Sequence, residues 1–270
     1  MQTPQALLPV LKIARYTLAD DIRQKSFVVM FLVCVLFVYL SRGCYQGNYL
    51  VNGQLLNVGT VAGAVSKMVF HGIAAGTLVI AGLLAMRVFR RDRDNGMQAC
   101  ILSKPIARWQ YVFGKTFGLW ILAMLFMFIL HGMVFLIMSI HLKVLMPEYL
   151  AGSLLCSFNL LFVILVVLLF SLMMPDIVAF LCVLGIGITS FVADGIYAIT
   201  HNLTIQVIMQ QPVAQPQADL TWTNVVYYVW PKLSGTERMA SALIGHDGFH
   251  GFGSIYPILN ILFYCLILAA

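Results

Sequence analysis

Long apolar runs, separated by short polar segments, dominate this chain of 270 residues. Continuous apolar runs of about 20 residues are typical of transmembrane α-helices, whereas the strands of a membrane barrel alternate apolar and polar residues over about ten positions. The pattern therefore predicts an all-α integral membrane protein. We expect six spans, at about residues 27–44, 68–89, 112–140, 154–174, 177–199 and 255–270.

The segment before the first span has a different period. Between about Gln5 and Lys25, apolar residues recur at helical spacing and basic residues occupy other positions. This predicts an amphipathic helix in the membrane interface, an elbow of residues 1–26 ahead of a transmembrane domain of residues 27–270. A basic lead-in to the first span is the alternative interpretation. The expected apolar stripe consists of Leu7, Leu8, Leu11, Ala14, Leu18 and Ile22.

Composition and charge agree with a membrane protein. Hydrophobic residues make up 61% of the chain and charged residues 10%, which excludes an ordinary soluble domain with about 25% charged residues. If the N-terminus is cytoplasmic, eleven of the sixteen Lys and Arg residues lie on the inner side of the six spans and five on the outer side. This bias favours cytoplasmic positions for both termini. The net charge of +6 thus reports topology and does not indicate nucleic-acid binding.

The predicted loops differ greatly in length. Pro175-Asp176 predicts a minimal turn between the fourth and fifth spans. Residues 87–111 form an arginine-rich inner loop, and residues 200–254 form a long polar outer loop. Gly185 and Gly187 predict a close helix contact at the fifth span.

No catalytic centre is evident in the sequence. Gly114-Lys115-Thr116 matches the end of a phosphate-binding loop, but the glycine required five positions earlier is Trp109. We therefore expect the chain to be no enzyme and to bind no nucleotide, metal or other cofactor itself. His246 and His250 are spaced to share a metal on a helix, although the glycines around them favour a solvated turn.

Asp194 is the acidic residue placed inside a predicted span. An ionisable group within a membrane is a candidate functional residue, so Asp194 marks a possible intramembrane polar site. The alternative is that Asp194 reaches interfacial water at the outer end of its span. His71 and His131 are expected to hydrogen-bond between packed helices.

The inner loop also carries a family resemblance. Its sequence motifs are Arg91-Asp-Arg-Asp-Asn-Gly96, Ile101-Leu-Ser-Lys-Pro105-Ile-Ala-Arg108 and Phe113-Gly-Lys115. Together with the elbow helix and six spans, these motifs resemble the cytoplasmic loop of ABC-2 type exporter permeases. That family has an acidic residue before a glycine, a leucine pair, a Pro-hydrophobic-Ser-Arg step and a Gly-Lys that opens the third span.

The chain departs from that pattern at three places, one of which is the interruption of the leucine-rich step by Ala99-Cys100. The usual Glu is replaced by Asp92 or Asp94, and the Gly-Thr pair is Gly96-Met97. Within the family, the chain is most similar to the branch associated with the maturation of multicopper enzymes such as nitrous oxide reductase.

The resemblance implies a permease subunit of an ATP-driven transporter in the bacterial cytoplasmic (inner) membrane. Such a permease dimerises with a second copy or a related permease and binds separate cytoplasmic ABC ATPase subunits, which carry ATP and Mg. The loop of residues 87–111 is then a coupling loop, in which four apolar side chains are anchors and four charged ones fix its geometry. The residues concerned are Arg90, Arg91, Asp92, Asp94, Gly96, Ile101, Leu102, Pro105, Ile106, Arg108, Trp109 and Lys115.

Two other functions compete with transport. A non-transporting membrane anchor, or mechanotransmitter, passes ATPase motion to an extracytoplasmic protein that docks on residues 201–254. An intramembrane enzyme requires polar residues that converge at one depth, and Asp194 alone does not supply them. The sequence leaves the substrate and the direction of transport open.

Overall fold

Eight α-helices make up most of the chain that the structure describes. A computed structural model covers residues 7–45, 50–51, 54–55, 58–94, 96, 107–142, 147–201, 228–244 and 252–269. The helices are α1 (Leu7–Ile22), α2 (Lys25–Leu40), α3 (Val58–Asp94), α4 (Arg108–Leu142), α5 (Glu148–Met173), α6 (Asp176–His201), α7 (Leu233–Ile244) and α8 (Phe252–Ala269). A 3-10 helix (Ser41–Tyr45) follows α2, and the two-residue strands β1 (Leu50–Val51) and β2 (Gln54–Leu55) form an antiparallel hairpin.

Four of the described helices are long and apolar enough to cross a membrane. They are α4, α5 and α6 together with the Val65–Val88 part of α3. Helix α2 reaches this length only together with α1, from which it is separated by a sharp bend, and the apolar stretch of α8 is shorter. The prediction of an all-α, multi-pass membrane protein is confirmed with four or five candidate spans in the described chain. Six spans and cytoplasmic termini stay predictions.

Helix α5 lies at the centre of the bundle. It contacts α3, α4, α6, α7 and α8, and half of its residues are buried. Small residues along α5 allow this close packing. Where Trp120 of α4 approaches, its Nε1 donates a hydrogen bond to the backbone carbonyl of Ser157 at 2.9 Å. Ser153 shares a 2.9 Å hydrogen bond with His131 Nδ1, so His131 joins α4 to α5 as expected.

The turn between α5 and α6 follows directly from its sequence. Met174 is extended (φ −131°, ψ 161°), because a residue that precedes proline is excluded from the helical region. Pro175 separates the helices, and Asp176 begins α6, where a carboxylate is favourable next to the partial positive charge of the helix N-terminus. The sequence predicted a minimal turn at these residues.

The elbow helix α1 packs on the first half of α4. Gly114 and Gly118, one turn apart on α4, face it. A Cβ atom at Gly114 would lie 2.8 Å from the Ile13 side chain, and one at Gly118 would lie 2.8 Å from the Ala14 carbonyl. Ile13, Ala14 and Thr17 are buried in this contact. The two glycines therefore set the distance between the helices.

The side of α1 that packs on the protein differs from the predicted apolar stripe. Ala14 belongs to both, whereas Ile13 and Thr17 are outside the stripe. Leu8, Leu11 and Ile22 of the stripe are exposed on the other side of the helix. Lys12 and Arg15 are also exposed. Helix α1 thus packs Ile13, Ala14 and Thr17 against α4, while Leu8 and Leu11 are exposed on its other side. The position of α1 in the membrane interface stays a prediction.

Substituting Gly118 by alanine is expected to displace α1 and to lower the free energy of unfolding by about 1–3 kcal/mol, because the methyl group overlaps backbone atoms. The matched control is Gly132→Ala on the same helix, where a Cβ atom meets nothing within 4 Å. Limited proteolysis within α1 and the thermal midpoint of the detergent-solubilised protein report the effect. Equal midpoints for the two variants would contradict the glycine contact.

The predicted helix contact at Gly185 and Gly187 is wrong within the described chain. A Cβ atom added at either glycine meets no atom within 4 Å. These glycines lie on α6, which is the least buried of the four candidate spans. Gly187 lines an apolar cavity between α3, α5 and α6.

Candidate functional site

A buried ion pair joins the two helices that flank the inner loop. Asp92 lies in the last turn of α3 and is 1% exposed, while Lys115 lies near the start of α4 and is 3% exposed. The Lys115 Nζ is 2.8 Å from Asp92 Oδ2, and the Tyr111 hydroxyl donates a hydrogen bond to the same oxygen. Tyr111 and Lys115 share one side of α4 because residues four apart in a helix are neighbours. We call Asp92, Tyr111 and Lys115 the inner cluster.

The elbow helix is connected to the inner cluster through the adjacent residue. Arg91 Nη1 lies 2.8 Å from Asp21 Oδ1, and Arg91 Nη2 contacts the Asp20 carboxylate. Gln24 Nε2 donates a 2.8 Å hydrogen bond to Asp21 Oδ1. The end of α1, the end of α3 and the start of α4 are therefore joined by charged contacts at one end of the bundle.

The structure describes some of the predicted loop residues. Asp92 and Lys115 meet in the inner cluster, and the adjacent Arg91 contacts the end of α1. Gly96 follows α3 with φ 66°, a left-handed conformation that favours glycine. Asp94, Arg108 and Trp109 are exposed, with Trp109 at 52%. The backbone of Arg90 belongs to α3. The predicted anchors Ile101, Leu102 and Ile106, and Pro105 beside them, lie outside the described residues.

Sequence reasoning did not identify three residues of this region, Asp20, Asp21 and Tyr111. Asp20-Asp21 is an acidic pair in an otherwise basic N-terminal segment. That inversion of charge was a usable signal, because an acidic pair at the end of an amphipathic helix suggests a basic partner. Nothing in the sequence around Tyr111 distinguishes it from an interfacial aromatic residue.

A second buried ion pair contains the predicted intramembrane residue Asp194. Asp194 on α6 is 2% exposed and Lys232, just before α7, is 3% exposed. Lys232 Nζ donates to Asp194 Oδ1 at 2.9 Å, and the Ser234 hydroxyl donates to the other carboxylate oxygen. Asp194 therefore does not point to water, and its charge is matched within the protein. We call Asp194, Lys232 and Ser234 the outer cluster.

Further hydrogen bonds attach the outer cluster to neighbouring helices. Asn159 Nδ2 of α5 donates to the Leu233 carbonyl at 2.8 Å. The backbone nitrogen of Lys232 donates to Asn260 Oδ1 of α8 at 3.1 Å, and Ser190 Oγ of α6 donates to the Pro231 carbonyl at 2.7 Å. Burial lowers the pKa of Lys232, while the carboxylate of Asp194 raises it. The start of α7 is thus held by three helices.

Helix α7 also contacts α3 through a buried carboxylate. Glu237 is 1% exposed, and its Oε2 lies 3.3 Å from Nδ1 of the half-exposed His71. Among the described residues, Glu237 Oε1 has no hydrogen-bond partner. Burial raises the pKa of Glu237, and the neighbouring His71 lowers it in part.

The raised pKa of Glu237 predicts that stability falls as pH rises. The folded protein holds a proton on this carboxyl that the unfolded chain releases near its ordinary pKa of 4.5. The corresponding stabilisation is therefore complete below pH 4.5 and is lost as pH rises through the folded pKa. We expect Glu237→Gln to flatten this dependence in thermal unfolding measured from pH 4 to pH 8, because Gln cannot ionise. Parallel curves for the variant and the parent would contradict the assignment.

No group of three or more His, Cys, Asp or Glu side chains within the described part of the chain is arranged to hold a metal ion. His246 and His250 fall outside the described residues, so metal binding at that pair stays a prediction.

The fold and the polar clusters define a multi-pass helical membrane protein in which adjacent ion pairs connect α1 to α3 and α3 to α4. The chain belongs to the family described as ABC-2 family transporter protein, whose sequence model matches residues 11–245. It is therefore a membrane-embedded permease subunit of an ABC transporter, a class that works with cytoplasmic ABC ATPases. A comparison with curated proteins found no significant match. The multicopper-enzyme branch within the family stays a prediction.

Proposed function

We propose that this permease dimerises and is driven by separate cytoplasmic ATPase subunits, which bind ATP and Mg and act on the coupling loop of residues 87–111. The observation that carries this proposal is the buried contact between Asp92 and Lys115, 2.8 Å apart, at the two ends of the loop. Because this ion pair joins α3 to α4, a force on the loop is expected to move the two helices together.

The connection of Arg91 to α1 extends this joint movement to the elbow helix. Because Arg91 contacts Asp20 and Asp21, a force on the loop also acts on a helix at the membrane surface. Nucleotide binding shifts a conformational equilibrium only if it favours one of two states. The proposed second state is one in which this inner unit has moved relative to α5.

The ATPase contact is proposed to lie on the exposed part of the loop. Trp109 and Arg108 are exposed beside the inner cluster, and Trp and Arg are enriched among residues that dominate interface energies. Asp92 and Lys115 are buried, so their role is to fix the loop geometry. In this proposal six spans cross the cytoplasmic membrane, both termini are cytoplasmic and α7 lies on the outer side.

The test is affinity purification of the tagged permease from its native host in mild detergent, scored for a co-purifying ATPase and for ATP hydrolysis. Trp109→Ala and Arg108→Glu are expected to weaken ATPase binding by about 30-fold, the effect of losing a contact worth about 2 kcal/mol. The matched control is Arg238→Glu, an exposed arginine on α7, which is expected to leave binding unchanged. A wild-type permease that purifies without any ATPase contradicts the partnership. Full binding by both loop variants contradicts the role of the loop.

The outer cluster supports a second candidate function, transmission of motion to an outer protein without transport. Residues 231–236 are bonded to α5, α6 and α8, so movement of these helices is passed directly to the outer segment that contains α7. Reconstituted vesicles that contain the permease and its ATPase separate the two functions. ATP-dependent movement of solute supports transport, whereas ATP-dependent binding of an outer protein without flux supports the mechanotransmitter.

A further inference from the structure

The contact between His71 and Glu237 joins α3 to α7 across two different environments. The Glu237 side chain is 1% exposed, whereas the His71 side chain is 38% exposed. The Nδ1 atom of His71 lies 3.3 Å from Glu237 Oε2, and Glu237 Oε1 has no hydrogen-bond partner in the part of the chain that the structure describes. One carboxyl oxygen is therefore bonded to a half-exposed imidazole, and the other is enclosed without a partner.

The protonation state of this pair decides how well the contact is satisfied. An ionised Glu237 beside a neutral His71 leaves an enclosed charge with an unpaired oxygen, which is strongly destabilising. A protonated carboxyl is neutral, and its hydroxyl donates to the Nδ1 of a neutral imidazole. With the same proton on His71, the contact is an ion pair. One proton held by the two residues therefore maintains the contact.

The surroundings of Glu237 supply no substitute for this proton. Among the described residues, no lysine or arginine forms an ion pair with Glu237: Lys232 is paired with Asp194, and Arg238 is exposed. Helix α8 contains no Lys, Arg, Asp or Glu. Burial raises the pKa of Glu237, and His71 offsets only part of this rise. The other ionisable residues on the neighbouring faces are Lys67, one turn before His71 on α3, and Glu148, Tyr149 and Cys156 on α5.

Helix α7 has attachments that do not depend on its contact with α3. Its first turn is bonded to α5, α6 and α8 next to the outer cluster. One turn beyond Glu237, α7 packs closely on α5, since a Cβ atom at Gly152 would lie 3.1 Å from the Ala240 carbonyl. Loss of the His71–Glu237 contact therefore separates α3 from α7 while α7 stays on α5.

We propose that His71 and Glu237 form a proton-operated latch, which is closed while the pair holds a proton and opens when that proton is lost. The half-exposed imidazole is the route by which the proton reaches water. Opening moves α3 away from α7, so that water reaches the ionised carboxylate. The latch places the position of α3 relative to α7 under the control of pH, and it is independent of the ATPase partnership.

The latch is expected to open as pH rises. Glu237 has its ordinary pKa of 4.5 in the open state, where it meets water, and a raised pKa in the closed state. Below pH 4.5 both states bind the proton, so the ratio of open to closed protein is constant. Between the two pKa values this ratio rises by up to about ten-fold per pH unit, and above the closed-state pKa it levels off.

The experiment measures the distance between α3 and α7 in the full-length permease, in mild detergent so that every surface meets one pH. Spin labels are attached to Met68→Cys on α3 and Arg238→Cys on α7, two exposed positions close to the latch, in a background without other cysteines. Double electron–electron resonance from about pH 4 to pH 9 gives the distance distribution. A population at longer distance is expected to grow with pH.

Two controls accompany this labelled protein. Glu237→Gln is expected to stay at the short distance at every pH, because its amide cannot ionise and still donates to His71. The second control places the labels on Leu154→Cys of α5, which is also exposed, and Arg238→Cys of α7. This distance is expected to remain constant, because α7 stays on α5.

His71→Gln separates the two members of the pair and tests the proposal even if Glu237→Gln does not fold. Glutamine can form a hydrogen bond but does not titrate, and Glu237 then lacks the histidine that lowers its pKa. The longer distance should still appear as pH rises, with its levelling-off moved to higher pH.

Four results would overturn the latch. Distances in His71→Gln that do not change with pH would assign the titration to His71. Equal pH responses in Glu237→Gln and its parent would exclude Glu237 as the titrating group. A parent distance that is constant over the whole pH range would exclude opening. Lengthening of the α5–α7 distance together with the α3–α7 distance would indicate a general loosening of the bundle.

Discussion

Replacing Lys115 by methionine is expected to lower the free energy of unfolding by about 3–5 kcal/mol, because it leaves Asp92 as a buried carboxylate without its ion partner. Thermal unfolding in mild detergent, followed with a fluorogenic thiol reagent, measures the change. Cys156 and Cys265 are suitable reporters because both are buried in the folded protein. The same variant is expected to lose ATP-dependent coupling, since the two ends of the loop are no longer tied together.

The double variant Lys115→Met with Asp92→Asn separates the ion pair from general disruption. It is expected to recover a large part of the loss, because neither residue then leaves a buried charge. Tyr111→Phe removes only one hydrogen bond to the carboxylate and is expected to cost about 1.5–3 kcal/mol. A double variant whose loss equals the sum of the single losses would show that the two charges do not interact.

Replacing Asp194 by asparagine is expected to have an effect of similar size at the other end of the bundle. Lys232 would remain buried without its carboxylate, at a cost of about 3–5 kcal/mol near neutral pH. Burial already lowers the pKa of Lys232, so the folded state releases the proton more readily than the unfolded state does. Stability is therefore expected to rise with pH toward 10.5, the ordinary pKa of lysine.

The measurement is the thermal midpoint of Asp194→Asn and the parent at pH 7 and pH 9. The variant is expected to recover part of its lost stability at pH 9, and the parent to change less because its lysine keeps a partner. The companion variant with both Asp194→Asn and Lys232→Met removes the titrating group and is expected to show no such recovery. An identical deficit for Asp194→Asn at both pH values would exclude a buried, charged Lys232 as the cause.

The sequence was most informative where the signal is local. Apolar run length located the helices, and the chemistry of Pro175 located the turn between α5 and α6. Three residues selected from the inner loop, Arg91, Asp92 and Lys115, do converge in the structure. They were selected because the motifs of this loop resemble those of ABC-2 type exporter permeases.

Contacts between distant segments were not predictable in this way. Lys232 is one of the five basic residues that the sequence predicts on the outer side. Its sequence context does not show whether it faces water or a carboxylate 38 residues away. Asp194 was recognised as unusual, but its partner depends on how α7 folds back against α6. Glu237 lies in a polar segment, and only tertiary packing buries it.

The interpretation of α1 shows a related limit. The most apolar stripe of a helix near a membrane faces lipid, so periodicity selects Leu8 and Leu11. The protein-facing side includes Ile13 and Thr17, which fit against Gly114 and Gly118. Complementarity between two helices is a property of the pair, and neither sequence segment displays it alone.

Helix α3 runs without interruption from Val58 to Asp94, a rod of 37 residues and about 55 Å. Its inner end carries Arg91 and Asp92, and about 30 Å away the same rod carries His71, which contacts Glu237 of α7. A stiff lever converts a small tilt at one end into a displacement at the other, with no intermediate side-chain rearrangement. In the proposed coupling, the His71–Glu237 contact is therefore the place where a tilt of α3 reaches α7.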